Sequence, residues 1–350
     1  MSALISVVIP SFNHASYIEE AVRSVLTQPV TDLELVIIDD GSQDDSVAIV
    51  GTIDDPRIRL ITQDNQGAHA AINRGLLEAR GQYLAILNSD DRFAPGRLPA
   101  ALDILTRSPD VALVGSYIEV IDGAGQRLAI KAGYANLDPW PVPVPEATFK
   151  ADNDLRTALL LQNYWSTTSN YVFPRHIYER YGPFRPLRYV HDWDFALRVQ
   201  LEQTARLIPQ PLLHYRVHNS NTIRENRAAM IYEICWVLAT HLPLYLKQDW
   251  FWQPGSEQRA QQLQRSIYVY GCDAVLWGML AHIHFGPPDS QLQLLQPDNA
   301  SRQFYLDEIR RTIMPSQPSA ADSLAAPRVP QAARQAFRSQ VRSWLRRLGV

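Results

Sequence analysis

The sequence predicts an α/β fold, with a mainly parallel sheet flanked by helices and followed by a mainly α-helical C-terminal region, on three observations. Short β-branched runs alternate with helical patterns over roughly the first ninety residues, as in a chain that winds strand, helix, strand. The runs are almost continuously apolar, which strands buried on both faces of a parallel sheet require. Their carboxyl ends collect polar residues, and in open α/β sheets ligands sit beyond that edge. The strands are Ile5 to Ile9, Leu33 to Ile38, Ile58 to Thr62 and Tyr83 to Leu87, with helices over 15–28, 44–53 and 67–80. Pro10-Ser11-Phe12-Asn13, Asp39-Asp40-Gly41-Ser42 and Asn88-Ser89-Asp90-Asp91 stand at three of the strand ends.

After Pro95 a helix runs to about Thr106, and Val111–Ile121 with Arg127–Ala132 reads as a hairpin about Asp122-Gly123-Ala124-Gly125. Pro139-Trp140-Pro141-Val142-Pro143-Val144-Pro145 suits neither helix nor central strand, because proline lacks the donor hydrogen, and is expected as an extended loop over the site. A helix near 152–162, a strand near 168–173, a helix near 191–203 and short strands to about Val217 complete a first domain, 1–222. Residues 223–314 read as a helical domain, with segments over 223–246, 257–285 and 299–313, and the Pro, Ser and Ala content of 315–331 as a linker. In 332–350, Phe337, Val341, Trp344, Leu345 and Leu348 recur at helical spacing, with Arg334, Arg338, Arg342 and Arg346 in an i, i+4 series. That basic amphipathic helix suits peripheral attachment to anionic membrane and equally a helix docked on the domain with solvated arginines.

Composition narrows the function. The chain is 46% hydrophobic and 20% charged, which is globular, and 33 basic against 36 acidic residues leave no chain-wide field for nucleic acid, which is not expected as a partner. Cys235 and Cys272 lack C-x-x-C spacing and lie in apolar helical surroundings, so both read as buried thiols of a reducing compartment. The N-terminal apolar run has no basic leader and meets Pro10, and no apolar stretch runs uninterrupted for the ~18–20 residues of a membrane span. A cytoplasmic protein is expected, in contact with the inner membrane only at its cytoplasmic face.

Carboxylates at strand ends carry the chemistry. In Asp39-Asp40-Gly41-Ser42 a carboxylate is placed to accept hydrogen bonds from a nucleotide base or ribose; Asp40 or Ser42 serves equally as a helix cap. Asp90 and Asp91 follow a buried strand, where two uncompensated charges are costly unless a cation joins them. A Mg²⁺ or Mn²⁺ ion shared with substrate phosphates meets that need.

These residues resemble the family 2 glycosyltransferases of GT-A fold. The resemblance rests on Ser6-Val7-Val8-Ile9-Pro10-Ser11-Phe12-Asn13, Ile38-Asp39-Asp40-Gly41-Ser42, Asn65-Gln66-Gly67, Asn73-Arg74-Gly75 and Ala79-Arg80-Gly81-Gln82-Tyr83 leading into Asn88-Ser89-Asp90-Asp91, in order and register over roughly 1–220. It implies a mixed, mainly parallel nucleotide-binding sheet and metal-dependent, inverting transfer of a sugar from a nucleoside diphosphate sugar, UDP- or dTDP-linked, to a glycan or lipid-linked acceptor in cell-surface polysaccharide synthesis. It also implies that Pro10, Ser11 and Asn13 line the nucleotide pocket, that Asp39 holds the base, and that Asn65, Asn73 and Asn88 contact the donor. Asp90 and Asp91 fall to ribose and metal; Asn88 stands where the family commonly has Asp. Tyr189-Val190-His191-Asp192-Trp193-Asp194 resembles the acidic motif of the general base, which assigns Asp192 to deprotonate the acceptor, with His191 in place of the usual acid. Asp192 and Asp194 lie about 200° apart on a helix, so Asp194, four residues before Arg198, is expected in a surface ion pair. Leu213-His214-Tyr215-Arg216-Val217-His218 resembles the segment that closes the donor site, which implies Arg216 on phosphate and His218 on metal or diphosphate. Trp165 and Trp193, together with His191, are candidate acceptor contacts, core packing being the alternative for the indoles. Two rivals stand beside this reading: a sugar nucleotidyltransferase, which lacks its glycine-rich phosphate loop here, and a non-catalytic sugar-nucleotide-binding scaffold, suggested by Asn88 and His191.

Overall fold

The computed structural model describes residues 4–132, 155–218, 225–252, 269 and 271–313. β1 (Ile5–Ser11), β2 (Leu33–Asp39), β3 (Ile58–Thr62) and β4 (Tyr83–Ile86) form the parallel half of a nine-stranded sheet, in the order β3-β2-β1-β4. Ile5 pairs with Leu33 and Tyr83, and Ser11 with Asp39, so the polar strand ends lie side by side. α1 (Ile18–Leu26), α2 (Ser46–Gly51) and α3 (Ala68–Glu78) are the crossovers. The motif glycine Gly75 lets α3 approach the sheet, since a Cβ there would lie 2.3 Å from Val8 Cγ1.

Beyond β4 the sheet turns mixed. β5 (Arg92–Phe93) and α4 (Arg97–Arg107) precede the hairpin of β6 (Val111–Ile121) and β7 (Arg127–Lys131). After α5 (Leu155–Leu161), the expected strand near 168–173 divides into a helical turn, Thr168–Asn170, and β8 (Val172–Pro174), because the side chains of 167–170 bond into the sheet edge rather than along a ladder. α6 (Arg175–Tyr181), unforeseen in the sequence, leads to α7 (His191–Gln200) and to β9 (Thr204–Arg216), one strand in place of several short ones. β9 runs parallel to β6, with register shifts that absorb Pro209 and Pro211.

α8 (Arg227–Leu246), α9 (Asp273–Phe285), α10 (Ser290–Gln293) and α11 (Ala300–Ile313) form the C-terminal region. α8 is long and apolar enough to cross a membrane, but 72% of its apolar window is buried against the rest of the chain, as in a core helix. One apolar cluster runs from Val8 and Ile72 in the sheet layer through Trp193 and Phe195 to Trp236, Met279 and Ile309. Cys235 and Cys272 are buried within it and form no disulfide with each other. The Pro139–Pro145 loop, the first part of the 257–285 helix, the linker 315–331 and the basic helix 332–350 lie outside the described residues.

Candidate active site

The loops after β1 and β2 are laced together. Asn13, in the left-handed region at φ 53°, donates its backbone N–H to Ser42 Oγ at 2.9 Å and accepts from the Gln43 N–H at 2.7 Å. Asp39 accepts from the Ser42 N–H at 3.0 Å and hydroxyl at 2.6 Å. Gly41, at φ 79°, has the Asn65 backbone nitrogen 3.1 Å from where a Cβ would stand. Asp40 is the capping acid: its carboxylate takes the Gln66 and Gly67 N–H groups at 2.9 and 2.8 Å, at the start of α3 rather than of the next helix. Ser11 Oγ, beside Asp39, is buried with no partner among the described residues, and a buried hydroxyl left so is costly unless a ligand meets it. Pro10 is a buried residue of β1, and Asn65 is exposed at the rim.

Asp90 and Asp91 diverge. Asp91 is 1% exposed and takes the Ser169 hydroxyl at 2.6 Å and the Arg216 N–H at 3.0 Å, so both its oxygens help fasten the sheet edge, and it lies outside the group of His14, Asp90 and His218, where the sequence reading had it beside Asp90 on the metal. Burial and the neighbouring Asp90 push its carboxyl well above the usual range. Asp90 lies 3.1 Å from His218 Nε2, and His14 completes the group: the three ligand atoms all lie within 4.8 Å of one another. Burial pushes the Asp90 carboxyl up, but the His218 bond and the two imidazoles outweigh it and hold the carboxyl below its ordinary value. His14 Nδ1 is bonded to Ser89 Oγ at 2.7 Å. The sequence reading named Asp90 and His218 but missed His14, whose only signal was its place in the loop after β1.

Several predicted donor contacts are spent elsewhere. Arg216, 2% exposed, donates to the Asp90 carbonyl at 2.8 Å and the Gly123 carbonyl at 3.1 Å, pairs with Glu20 and covers the Tyr17 ring at 4.8 Å. It supports the cluster from behind and does not reach for phosphate. The Asn73 amide bonds the backbone of Phe184 at 2.8 Å through both its ends, which pins 182–190 to α3. Asn88 accepts from Thr168 Oγ1 at 2.8 Å and donates to Thr167 Oγ1 at 3.0 Å, so it holds the 167–169 turn where an acid would have repelled Asp91.

Asp192 opens α7. Its Oδ2 accepts from Asn163 Nδ2 at 2.8 Å and its Oδ1 from the Trp193 N–H at 2.8 Å, which fixes the carboxylate with lone pairs to spare. Asn163 in turn receives the Ser166 N–H, and the Ser166 hydroxyl meets the Lys131 ammonium at the end of β7. Lys131, unforeseen, is 2% exposed; burial pulls its pKa to about 7 against the opposing pull of Asp192. Segment 163–169 therefore bonds Asp192 at one end and Asn88 and Asp91 at the other. Asp194 has the expected partner Arg198, but the pair is buried and joined by Arg185 at 2.8 Å and His241 at 2.9 Å. His191 Nδ1 is held by the Leu187 carbonyl at 3.1 Å. Trp165 is fully buried against Tyr171, and Trp193 gives its indole N–H to the Leu159 carbonyl at 2.7 Å, so both are core residues and neither face meets a sugar.

Comparison with known proteins fits this geometry. The profile of the family described as glycosyl transferase family 2 matches residues 6–182, just over half of the 350-residue chain. A glycosyltransferase of Nostoc sp. is 29% identical over 226 residues, 62% of this chain and 66% of its own. The chondroitin synthase of Escherichia coli is 29% identical over 232 residues, 63% of this chain and 33% of its own. The match thus leaves a third or more of each relative's length uncovered. Among solved structures, S. aureus TarS 1-349 in complex with UDP-GlcNAc superposes with a TM-score of 0.57 at 15% identity over 88% of this chain and 90% of that one. The mannosyltransferase PcManGT of Pyrobaculum calidifontis, in complex with GDP-Man and Mn²⁺, gives 0.51 at 17% identity over 90% and 88%. At these identities the likeness is one of fold.

Proposed function

The chain belongs to glycosyltransferase family 2 and has the GT-A type of fold, and we propose that it transfers a sugar from a UDP- or dTDP-linked donor to a hydroxyl of a glycan or lipid-linked acceptor, with inversion, in cell-surface polysaccharide synthesis. The observation that supports the reading most is the shared 163–169 segment, bonded to the base candidate Asp192 through Asn163 and to Asp91, the neighbour of Asp90, through Ser169. A relative that is a chondroitin synthase and a fold neighbour bound to UDP-GlcNAc support the donor class and the polysaccharide product. The two buried cysteines, not joined in a disulfide, support a reducing, cytoplasmic setting.

Ser11 and Asp39 receive the base and ribose, the partnerless hydroxyl and the Ser42-fixed carboxylate offering a donor and an acceptor side by side. One carboxylate and two imidazoles are an ordinary set of divalent-cation ligands, so Asp90, His218 and His14 are the residues that would hold the ion. A divalent ion there offsets the charge that develops on the diphosphate as it leaves. Asp192 takes the proton of the acceptor hydroxyl as its oxygen forms the new bond to the anomeric carbon and the bond from that carbon to the diphosphate breaks. Asn163 and the Trp193 N–H keep the carboxylate aimed at that proton.

The test is nucleoside diphosphate release with Mn²⁺ against a panel of nucleotide sugars and short glycan acceptors. Asp192→Asn should retain UDP affinity and melting temperature while losing transfer by at least about a hundredfold. No turnover of any donor by the wild type, or an active Asp192→Asn, would overturn the reading.

A further inference from the structure

Family resemblance led to a metal held by Asp90, Asp91 and His218, whereas the structure groups Asp90 and His218 with His14, one carboxylate and two imidazoles from the loop after β4, the end of β9 and the loop after β1. We propose that His14, Asp90 and His218 take up a first-row transition-metal ion of the manganese-to-zinc range before any nucleotide is bound, and that His14 is the ligand responsible. The proposal deepens the sugar-transfer reading, resting on it for what occupies the ion's remaining positions.

Three physical points support it. First, the spacing suits a single ion. Ligands about 2.1 Å from a cation lie about 3.0 Å apart at a right angle and about 4.2 Å apart across it. The Asp90 to His218 separation, 3.1 Å, is that of a right-angle pair, and all three ligand atoms lie within 4.8 Å of one another, so a closure of about half an ångström at most brings the group onto one ion.

Second, the ligands are held without a nucleotide. Ser89 holds the His14 ring through Nδ1 at 2.7 Å, which leaves Nε2 as the nitrogen not engaged by that bond. Tyr17 lies 5.0 Å from the His218 ring, centroid to centroid, and is itself covered by Arg216, whose Nε also anchors the Asp90 carbonyl. An ion held by one carboxylate waits for diphosphate oxygens; one held by three fixed protein ligands does not.

Third, the ligand chemistry selects. Imidazole nitrogen favours manganese, iron, cobalt and zinc over magnesium, which prefers oxygen and parts reluctantly with water. Three protein ligands on a six-coordinate ion leave three positions for a diphosphate.

Nucleotide-free, full-length protein titrated with Co²⁺ and followed by its visible absorption, with Mn²⁺ uptake followed by electron paramagnetic resonance, tests this directly. Saturable binding of one ion is expected without UDP, with Co²⁺ tighter than Mn²⁺ and a hundredfold excess of Mg²⁺ failing to displace either. His14→Ala should weaken uptake at least the roughly tenfold that losing an outer partner of a metal ligand costs, Asp90→Asn should abolish it, and Asp91→Asn should leave it nearly unchanged. If His14→Ala melts early, His14→Gln, which keeps a polar group toward Ser89, is measured in its place. Uptake that requires UDP, affinity unaltered in the His14 variant, or equal competition by Mg²⁺ would overturn the proposal. Turnover of a donor together with UDP-dependent uptake sinks this inference alone, whereas nucleotide-free uptake without turnover of any donor sinks only the transferase reading.

Discussion

An unfolded lysine holds its proton to about pH 10.4, but burial lets Lys131 release it near 7 in the folded chain. Between those values the unfolded state binds more protons, so this group's contribution to stability rises with pH from about 7 to 10. Lys131→Met keeps the apolar stem and removes the buried ammonium. Its stability relative to the wild type should therefore be greatest at and below pH 7 and should shrink toward pH 10, as urea unfolding at pH 6.5, 8 and 9.5 would measure; a gap that widens with pH refutes it. Neither Lys131 nor His14 was legible in the sequence. Lys131 reads as the last residue of an edge strand, and His14 gains meaning only when loops ending at Asp90 and His218 close over it. The acids were legible because paired carboxylates at the ends of apolar strands have few purposes. Arg216 and Asn73 were misread for a general reason: guanidinium and amide groups serve backbone carbonyls as readily as they serve phosphate or sugar, and sequence does not say which.

The helix that presents Asp192 is held from below by an element the sequence assigned to another domain. Asp194 on α7 receives Arg185, Arg198 and, from α8, His241, while Glu233 of α8 accepts the backbone N–H groups of Arg188 and Tyr189 at 2.8 and 2.7 Å just before α7 begins. Burial pushes the Asp194 carboxyl up, but His241 and the two guanidinium groups outweigh it and hold it well below the usual range. Asp194→Asn leaves the largely buried Arg198 guanidinium, and Arg185 beside it, without their counter-charge and the buried His241 imidazole without its acceptor, and should cost about 3–5 kcal/mol in urea unfolding at pH 7, far more than a surface pair would. The cost should fade below about pH 4, because a lowered folded pKa stabilises above the unfolded value and ceases to do so as pH falls through the folded one. A loss under about 1 kcal/mol at pH 7 would mean that the cluster is hydrated. A second element is equally tight: a Cβ on Gly115 of β6 would stand 2.3 Å from Trp165 Cζ3, so Gly115→Ala should destabilise by about 1–3 kcal/mol, and an unchanged melting curve would refute that packing. Strand and helix positions were legible where a period spoke, as in β3 and β6. The 168–173 segment was not, because there the side chains bond to the sheet edge and suppress the ladder that its pattern suggested.

At the scale of the molecule, the C-terminal helices and the sheet share one apolar core, in which Trp236 and Met279 belong to the same cluster as Val8 and Trp193. Unfolding of the full chain should be a single transition by near- and far-ultraviolet circular dichroism, and a chain ending at His218 should show no cooperative melt; a well-folded truncation would separate the two parts after all. The boundary near 222 was drawn from a change of pattern, and patterns do not report which faces meet. The 163–169 segment has a consequence at this scale. It is bonded to Asp192 at one end and to Asn88 at the other, the sides that the proposed reaction assigns to acceptor and donor, and we predict that a shift made at one end is registered at the other. Free-energy linkage then requires reciprocity: the factor by which bound UDP changes acceptor affinity equals the factor by which acceptor changes UDP affinity. In Asp192→Asn protein, in which both should bind without turnover, that factor should differ from one in calorimetry, and Thr167→Val with Thr168→Val, which removes both side-chain bonds to the Asn88 amide, should bring it toward one. Under such coupling, which substrate arrives first is decided by their concentrations, and neither has a structurally reserved turn.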